Sequence, residues 1–192
     1  MTRLYTARGG QQLAMFPGAK PQAEGHENRG KEFEHTLMVM HGLYEERGFA
    51  VIRKNYVAST VMQSGKIARV EGPAIVDFSG PLAPSGRHVA FDAKDCKKDF
   101  ISLERLEEYQ AAYLVGVDAV GGMAFVLVRF AWKHVYKIPI RSWVDADLAH
   151  KFGVMDSYID WTPTGLGRIR MSDCPEKWRV IGYDWMGVIE RE

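Results

Sequence analysis

The chain has 192 residues, 46% of them hydrophobic, and its 25 Lys and Arg balance 24 Asp and Glu to a net charge of +1. That content excludes general disorder, the length suits one α/β domain with a sizeable core, and the near-neutral charge confines any nucleic-acid site to a local basic patch. No apolar run nears the roughly 20 residues of a membrane span and the N-terminus lacks a secretory apolar core, so a cytoplasmic protein without membrane partners is expected.

Residues 1–27 are rich in Gly, Gln, Ala and Pro without an apolar period, and read as a flexible arm that is either inert or a strap ordering on DNA. Asn28-Arg29-Gly30 breaks this arm, with Asn28 as a helix N-cap. Phe33, Leu37, Met40 and Tyr44 then form one face of an amphipathic helix over Gly30–Arg47. By periodicity alone Glu34 is a solvated carboxylate at the edge of that face, and His35 and His41 are surface or boundary residues. Gly48 ends the helix. Phe49–Tyr56 is β-rich and reads as a strand. Residues 57–75 carry β-branched runs around Gln63-Ser64-Gly65-Lys66, a hairpin whose Lys66 and Arg69, with Arg53 and Lys54, suit either a phosphate backbone or plain solvated surface.

Two strand-like runs, Ala74–Phe78 and Arg87–Lys94, flank a Pro/Gly/Ser turn. A hairpin there brings Asp77 and Asp92 together, and residues two apart on a strand share a face, so Lys94 joins Asp92. Two carboxylates and a lysine on one face suit a hard divalent cation and its water; a solvated surface hairpin is the alternative reading. Lys97 and Lys98 follow on a loop. Ser102 caps a helix expected to reach Val115, with Leu103, Leu106, Tyr109 or Gln110, Tyr113 and Leu114 inward. Gln110 among core positions requires hydrogen-bond partners. Met123–Phe130 is a near-continuous apolar run, as in a strand buried on both faces, and His134–Ile138 is its partner, stopped by Pro139. Val144–Lys151 reads as a short helix, and Phe152–Glu192 as irregular or short β structure. Trp132, Trp143, Trp161, Trp178 and Trp185 read as core. Cys96 and Cys174 read as free thiols rather than a disulfide. The element order implies a single α/β domain, a mixed sheet flanked by helices.

No phosphate loop, dinucleotide fingerprint, nucleophile elbow or zinc spacing is present. The acidic pair and lysine, Asp77 with Phe91-Asp92-Ala93-Lys94, resemble the PD-(D/E)XK signature of restriction-endonuclease-like nucleases. The ordered set Asn28-Arg29-Gly30 with Glu34, Asp77-Phe78-Ser79-Gly80, Gly86-Arg87 leading to Phe91-Asp92-Ala93-Lys94, and Gln110 is similar to RecU-type Holliday junction resolvases. Asp92 stands where that family commonly has glutamate, and Tyr109 where it has histidine.

The resemblance implies a restriction-endonuclease-like mixed sheet at residues 28–192, with 57–75 as a protruding stalk-like insertion and 139–192 as a poorly matched extension. It implies a structure-selective endonuclease that resolves four-way DNA junctions by paired nicks, with branched DNA as substrate and a homodimer as the working form. Mg²⁺, with Mn²⁺ as a substitute, would be held by Asp77, Asp92, the Ala93 carbonyl and Glu34. Lys94 would orient water and neutralise phosphate charge, Gln110 would support the site, and Arg29, Arg53, Lys54, Lys66, Lys97 and Lys98 would grip phosphates. A duplex-cleaving restriction or repair endonuclease, or a non-catalytic DNA-binding module, are the alternatives on the same fold.

Overall fold

The computed structural model describes residues 26–56, 59–61, 67–69, 74–152 and 167–189. Helix α1 (His26–Glu46) packs one face of the sheet. It starts before Asn28, which is therefore inside the helix and does not cap it. Its buried stripe is Phe33, Leu37, His41 and Tyr44. His41, expected near the surface, is only 3% exposed, because the stripe recurs at four residues and passes through position 41. Gly48 adopts φ +71°, and Phe49 N–H bonds Tyr44 O at 2.8 Å while Gly48 N–H bonds Glu45 O at 3.0 Å. Those two bonds close the helix as a Schellman motif, the left-handed turn that glycine adopts without strain.

The strands are β1 (Arg53–Lys54), β2 (Ser59–Val61), β3 (Ile67–Arg69), β4 (Phe78–Leu82), β5 (Arg87–Asp95), β6 (Phe100–Ser102), β7 (Met123–Phe130), β8 (His134–Pro139), β9 (Arg168–Arg170) and β10 (Arg179–Val180). Helix α2 (Glu108–Ala119) lies between β6 and β7, and α3 (Ile140–Phe152) follows β8 directly. The main sheet runs β1-β4-β5-β7-β8-β10, with β2–β3 and β6–β9 as separate two-stranded pairs. Only β5–β7 is parallel in that sheet, and such a pair needs a crossover, which α2 supplies. The mixed sheet with helices on both sides agrees with the expected α/β class.

Period-two alternation on β7 builds two cores. Phe125 and Leu127 meet α1, while Val126, Val128 and Phe130 meet α2 and α3. Phe91 stacks between Phe78 at 5.1 Å and Phe125 at 4.7 Å, tying three strands together directly beneath Asp92.

Several expected boundaries move. The strand expected at Ala74–Phe78 is β4, beginning where that range ends; Ser79, Gly80 and Pro81 are strand rather than turn. Gly80 is required, since a Cβ there would lie 2.0 Å from Val51 O, and Pro81 contributes only its carbonyl, accepting Val51 N–H at 3.0 Å. The strand expected over Phe49–Tyr56 shrinks to β1 plus a bridge from Ala50 to Leu82. Ser102 caps no α-helix; it precedes a 3₁₀ turn at Leu103–Arg105, and α2 starts at Glu108 with Glu107 as its cap. Helix α3 extends both ends of the range expected for it, and Pro139 closes β8 at the start of that helix. The hairpin expected at 57–75 has β2 paired antiparallel with β3, but its loop at 62–66, including Lys66, lies outside the described residues. The arm up to residue 25 and Trp161 also lie outside them. Trp143, Trp178 and Trp185 are core, whereas Trp132 is half-buried in a cavity wall. Both cysteines are free thiols.

Candidate active site

The β4–β5 ladder pairs Phe78 with Phe91, so continuing it by one residue sets Asp77 opposite Asp92. Asp77 sits just before the strand, where its Oδ2 accepts Ala93 N–H at 2.8 Å. Asp92 is fully buried on the α2 face of β5. Its Oδ1 accepts Gln110 Nε2 at 2.8 Å, and Lys94 Nζ lies 2.6 Å from Oδ2. That second contact is an ion pair without hydrogen-bond alignment, since Oδ2 has no aligned donor.

Gln110 is placed by its own helix. It occupies the third position of α2, and its Oε1 accepts Glu107 N–H at 3.1 Å in a capping box. The same oxygen accepts Lys94 Nζ at 3.3 Å. One amide therefore closes the helix and fixes both Asp92 and Lys94, satisfying the partner requirement of a core glutamine.

Asp77 and Lys94 line a cavity of about 460 Å³ together with Glu34, Ala93, Arg105 and Trp132, while Asp92 and Gln110 are buried and do not line it. Gly30 of α1 forms part of the same wall. Glu34, expected at a solvated helix edge, is half-buried there and pairs with Lys54. Arg53 is held bidentate by Glu45 at 2.6 and 2.7 Å on the exposed surface. Lys97 lies over the Trp132 ring at 5.6 Å and Lys98 over Phe100 at 4.8 Å. Arg29 lies in α1 with its side chain outside the described residues, as does that of Lys66.

The electrostatics follow from this crowding. Burial, and then the facing Asp92 carboxylate, push Asp77 up to about 7. Burial also raises Asp92, against the pull of Lys94. Among the described residues no three His, Cys, Asp or Glu side chains form a ready-made metal cluster. The pair still fits a hard cation of the Mg²⁺ type, which takes one or two carboxylates and completes its shell with water and substrate oxygens. Two desolvated, mutually repelling carboxylates with an unaligned oxygen are the electrostatic problem such a cation relieves.

Two features were illegible in the sequence. Arg129, inside the apolar run of β7, is 3% exposed and bidentate to Asp95 at 2.8 Å through both bonds. It also lies over Phe33 at 4.8 Å, so β5, β7 and α1 meet at one guanidinium. Arg105, from the 3₁₀ turn, donates to Asp95 O at 2.8 Å on the cavity rim. Only the unexpected charge in a buried strand signalled the first; nothing signalled the second.

The RecU family, Recombination protein U, matches residues 28–151. The Holliday junction resolvase RecU of Geobacillus thermodenitrificans is 27% identical over 122 residues, 58% of this chain and 60% of that protein. The Holliday junction resolvase RecU of Lactococcus lactis subsp. lactis is 31% identical over 113 residues, 54% of this chain and 52% of that protein. The matches thus span less than two thirds of these relatives' own length. Among solved structures, the Holliday junction resolvase Hjc of Archaeoglobus fulgidus is 16% identical, with a TM-score of 0.38 over 59% of this chain and 75% of that one.

Proposed function

This chain belongs to the RecU family, and from that premise we propose that it is a cytoplasmic, structure-selective, metal-dependent endonuclease that resolves four-way DNA junctions. The observation that carries this reading is the set of contacts of 2.6–3.3 Å joining Asp92, Lys94 and Gln110, with Asp77 opposite Asp92 and bonded to Ala93 N–H at 2.8 Å, beside the cavity that Asp77 and Lys94 line. The names of the relatives support the junction as substrate.

In the proposed reaction, water attacks a backbone phosphorus, and the bond to the leaving sugar oxygen breaks. Asp77 and Asp92, with the Ala93 carbonyl, would hold Mg²⁺ (or Mn²⁺), and Glu34 would hold a second ion or its water. When bound, the metal supplies charge for the phosphate and lowers the pKa of its water. Lys94 holds the attacking water in line and offsets charge growing on the phosphate oxygens. Gln110 keeps Asp92 from rotating and Lys94 from swinging away. Glu34, on the α1 wall, is kept in the cavity by Lys54. Arg29, Lys66, Lys97 and Lys98 grip the phosphate backbone, while Arg53 and Lys54 are occupied by Glu45 and Glu34.

Two symmetric nicks require two sites facing one junction, hence a two-fold homodimer, with the 57–75 hairpin reading the branch point. The test is cleavage of a labelled four-way junction and of linear duplex of the same sequence in Mg²⁺. Preferential cutting of the junction supports the reading. Equal cutting of both contradicts junction selectivity.

A further inference from the structure

On the reading that the chain acts on DNA, we infer that the β6–β9 pair is a phosphate-binding ledge, with Arg168 and Arg170 as cations that hold a DNA arm beside the cavity. Both arginines lie past residue 151, outside the matched family segment.

The ledge follows from strand alternation. Ile169 is fully buried, and Ile101, its register partner, is 1% exposed, so both point into the core. Their neighbours Arg168 and Arg170 must then point outward, and both are exposed. Phe100, on β6, faces the same way and pairs with Arg170. Its ring carries Lys98 Nζ at 4.8 Å and Arg168 Cζ at 4.9 Å from the centroid. The two cations therefore lie within about 10 Å of each other, about a Debye length at physiological salt, and Arg170 is two positions along β9 from Arg168, on the same face. Like charges gathered on one sheet face repel unless an anion joins them.

Other arginines of this protein show the contrast. Arg53, Arg129, Arg141 and Arg179 each have a carboxylate partner: Glu45, Asp95, Asp118 and Glu176. Among the described residues, neither Arg168 nor Arg170 has a carboxylate within ion-pair distance. The nearby Asp173 carboxylate accepts the Arg170 backbone N–H and the Ser172 hydroxyl.

The ledge is continuous with the cavity and held rigidly. Lys98 adjoins Lys97, which covers Trp132 in the cavity wall. Ala131 N–H bonds Lys98 O at 3.0 Å, Trp132 N–H bonds Cys96 O at 3.1 Å, and Met171 N–H bonds Asp99 O at 2.7 Å. A row of cations on fixed backbone suits a phosphate backbone, whose contacts position the duplex without reading its sequence.

The test measures Kd for a four-way junction and a linear duplex across a salt series in EDTA. Arg168→Ala with Arg170→Ala should weaken binding to both DNAs and lower the slope of log Kd against log salt by about 2. Arg170→Ala alone, which leaves the Arg168–Phe100 contact in place, should lower it by about 1. Arg168→Lys with Arg170→Lys, the Lys variant, keeps both charges and should keep the wild-type slope. If wild type binds and cuts but the Ala variants bind with its affinity and slope, the ledge is overturned and the nuclease reading stands. A slope lost equally in the Lys variant would also overturn it, by showing packing rather than charge. A wild type that binds no DNA would overturn the nuclease reading, and the ledge with it.

Discussion

Gln110 donates from Nε2 to Asp92 Oδ1 at 2.8 Å, while its Oε1 accepts the backbone N–H that starts α2. Helix capping and carboxylate orientation thus share one side chain. Gln110→Ala leaves a buried carboxylate oxygen and a helix-end N–H without partners, a cost of about 1–3 kcal/mol. We expect a lower urea midpoint and about tenfold slower single-turnover cleavage. Wild-type values of both would contradict the shared role.

Lys94 is held between Asp92 and Gln110, with its ammonium 2.6 Å from Asp92 Oδ2. Lys94→Ala should slow the chemical step by about 10²-fold or more, the scale of a lost electrostatic contact in such sites. Metal dependence should persist. A fall of less than about threefold would leave Lys94 as a strand-end charge and nothing more.

The Arg129–Asp95 pair is nearly dry, with side chains 4% and 7% exposed. Arg129→Met strands the Asp95 carboxylate and should cost about 3–5 kcal/mol. Adding Asp95→Ala should recover part of that loss. Urea unfolding of wild type, Arg129→Met, Asp95→Ala and the double variant gives the coupling energy; additive losses would show that the pair is not coupled.

His41 is buried against Phe78 and Phe91, and its Nε2 accepts Trp185 Nε1–H at 3.1 Å. Burial pushes its pKa from 6.5 down to about 4. The folded state then binds fewer protons than the unfolded chain between those values, so His41's contribution is whole above about pH 6.5 and is lost as pH falls toward 4. The loss amounts to roughly 3 kcal/mol. Asp77, whose pKa is raised, titrates in the opposite sense over an overlapping range, so the readout is wild type minus His41→Leu. That difference should shrink as pH falls from 6.5 to 4. A constant difference would contradict a neutral, buried His41.

Legibility tracked how local each cause was. Met123–Phe130 was readable to the residue because a continuous apolar run needs only burial on both faces. The convergence of Asp77, Asp92 and Lys94 was readable from hairpin pairing and period two. The start of β4 was not, because Gly80 and Pro81 resemble a turn until Val51 is known to lie against them. Ser102 misled because a good cap residue preceded a 3₁₀ turn, while Gln110 closes the true helix from its third position. The Glu34–Lys54 and Arg53–Glu45 pairs, and the ledge on β9, depend on segments meeting across the fold, which no local pattern encodes.

The most direct measurement compares wild type with Asp77→Asn and Asp92→Asn on a labelled four-way junction, reading single-turnover cleavage in Mg²⁺ and binding affinity in EDTA. Both carboxylates are assigned to the metal rather than to the DNA grip, and removing negative charge beside phosphate does not weaken attraction to DNA. The account predicts paired symmetric nicks by the wild type, cleavage at background in either variant, and junction affinity in both at least equal to wild type. Near-wild-type nicking by either Asn variant would contradict it.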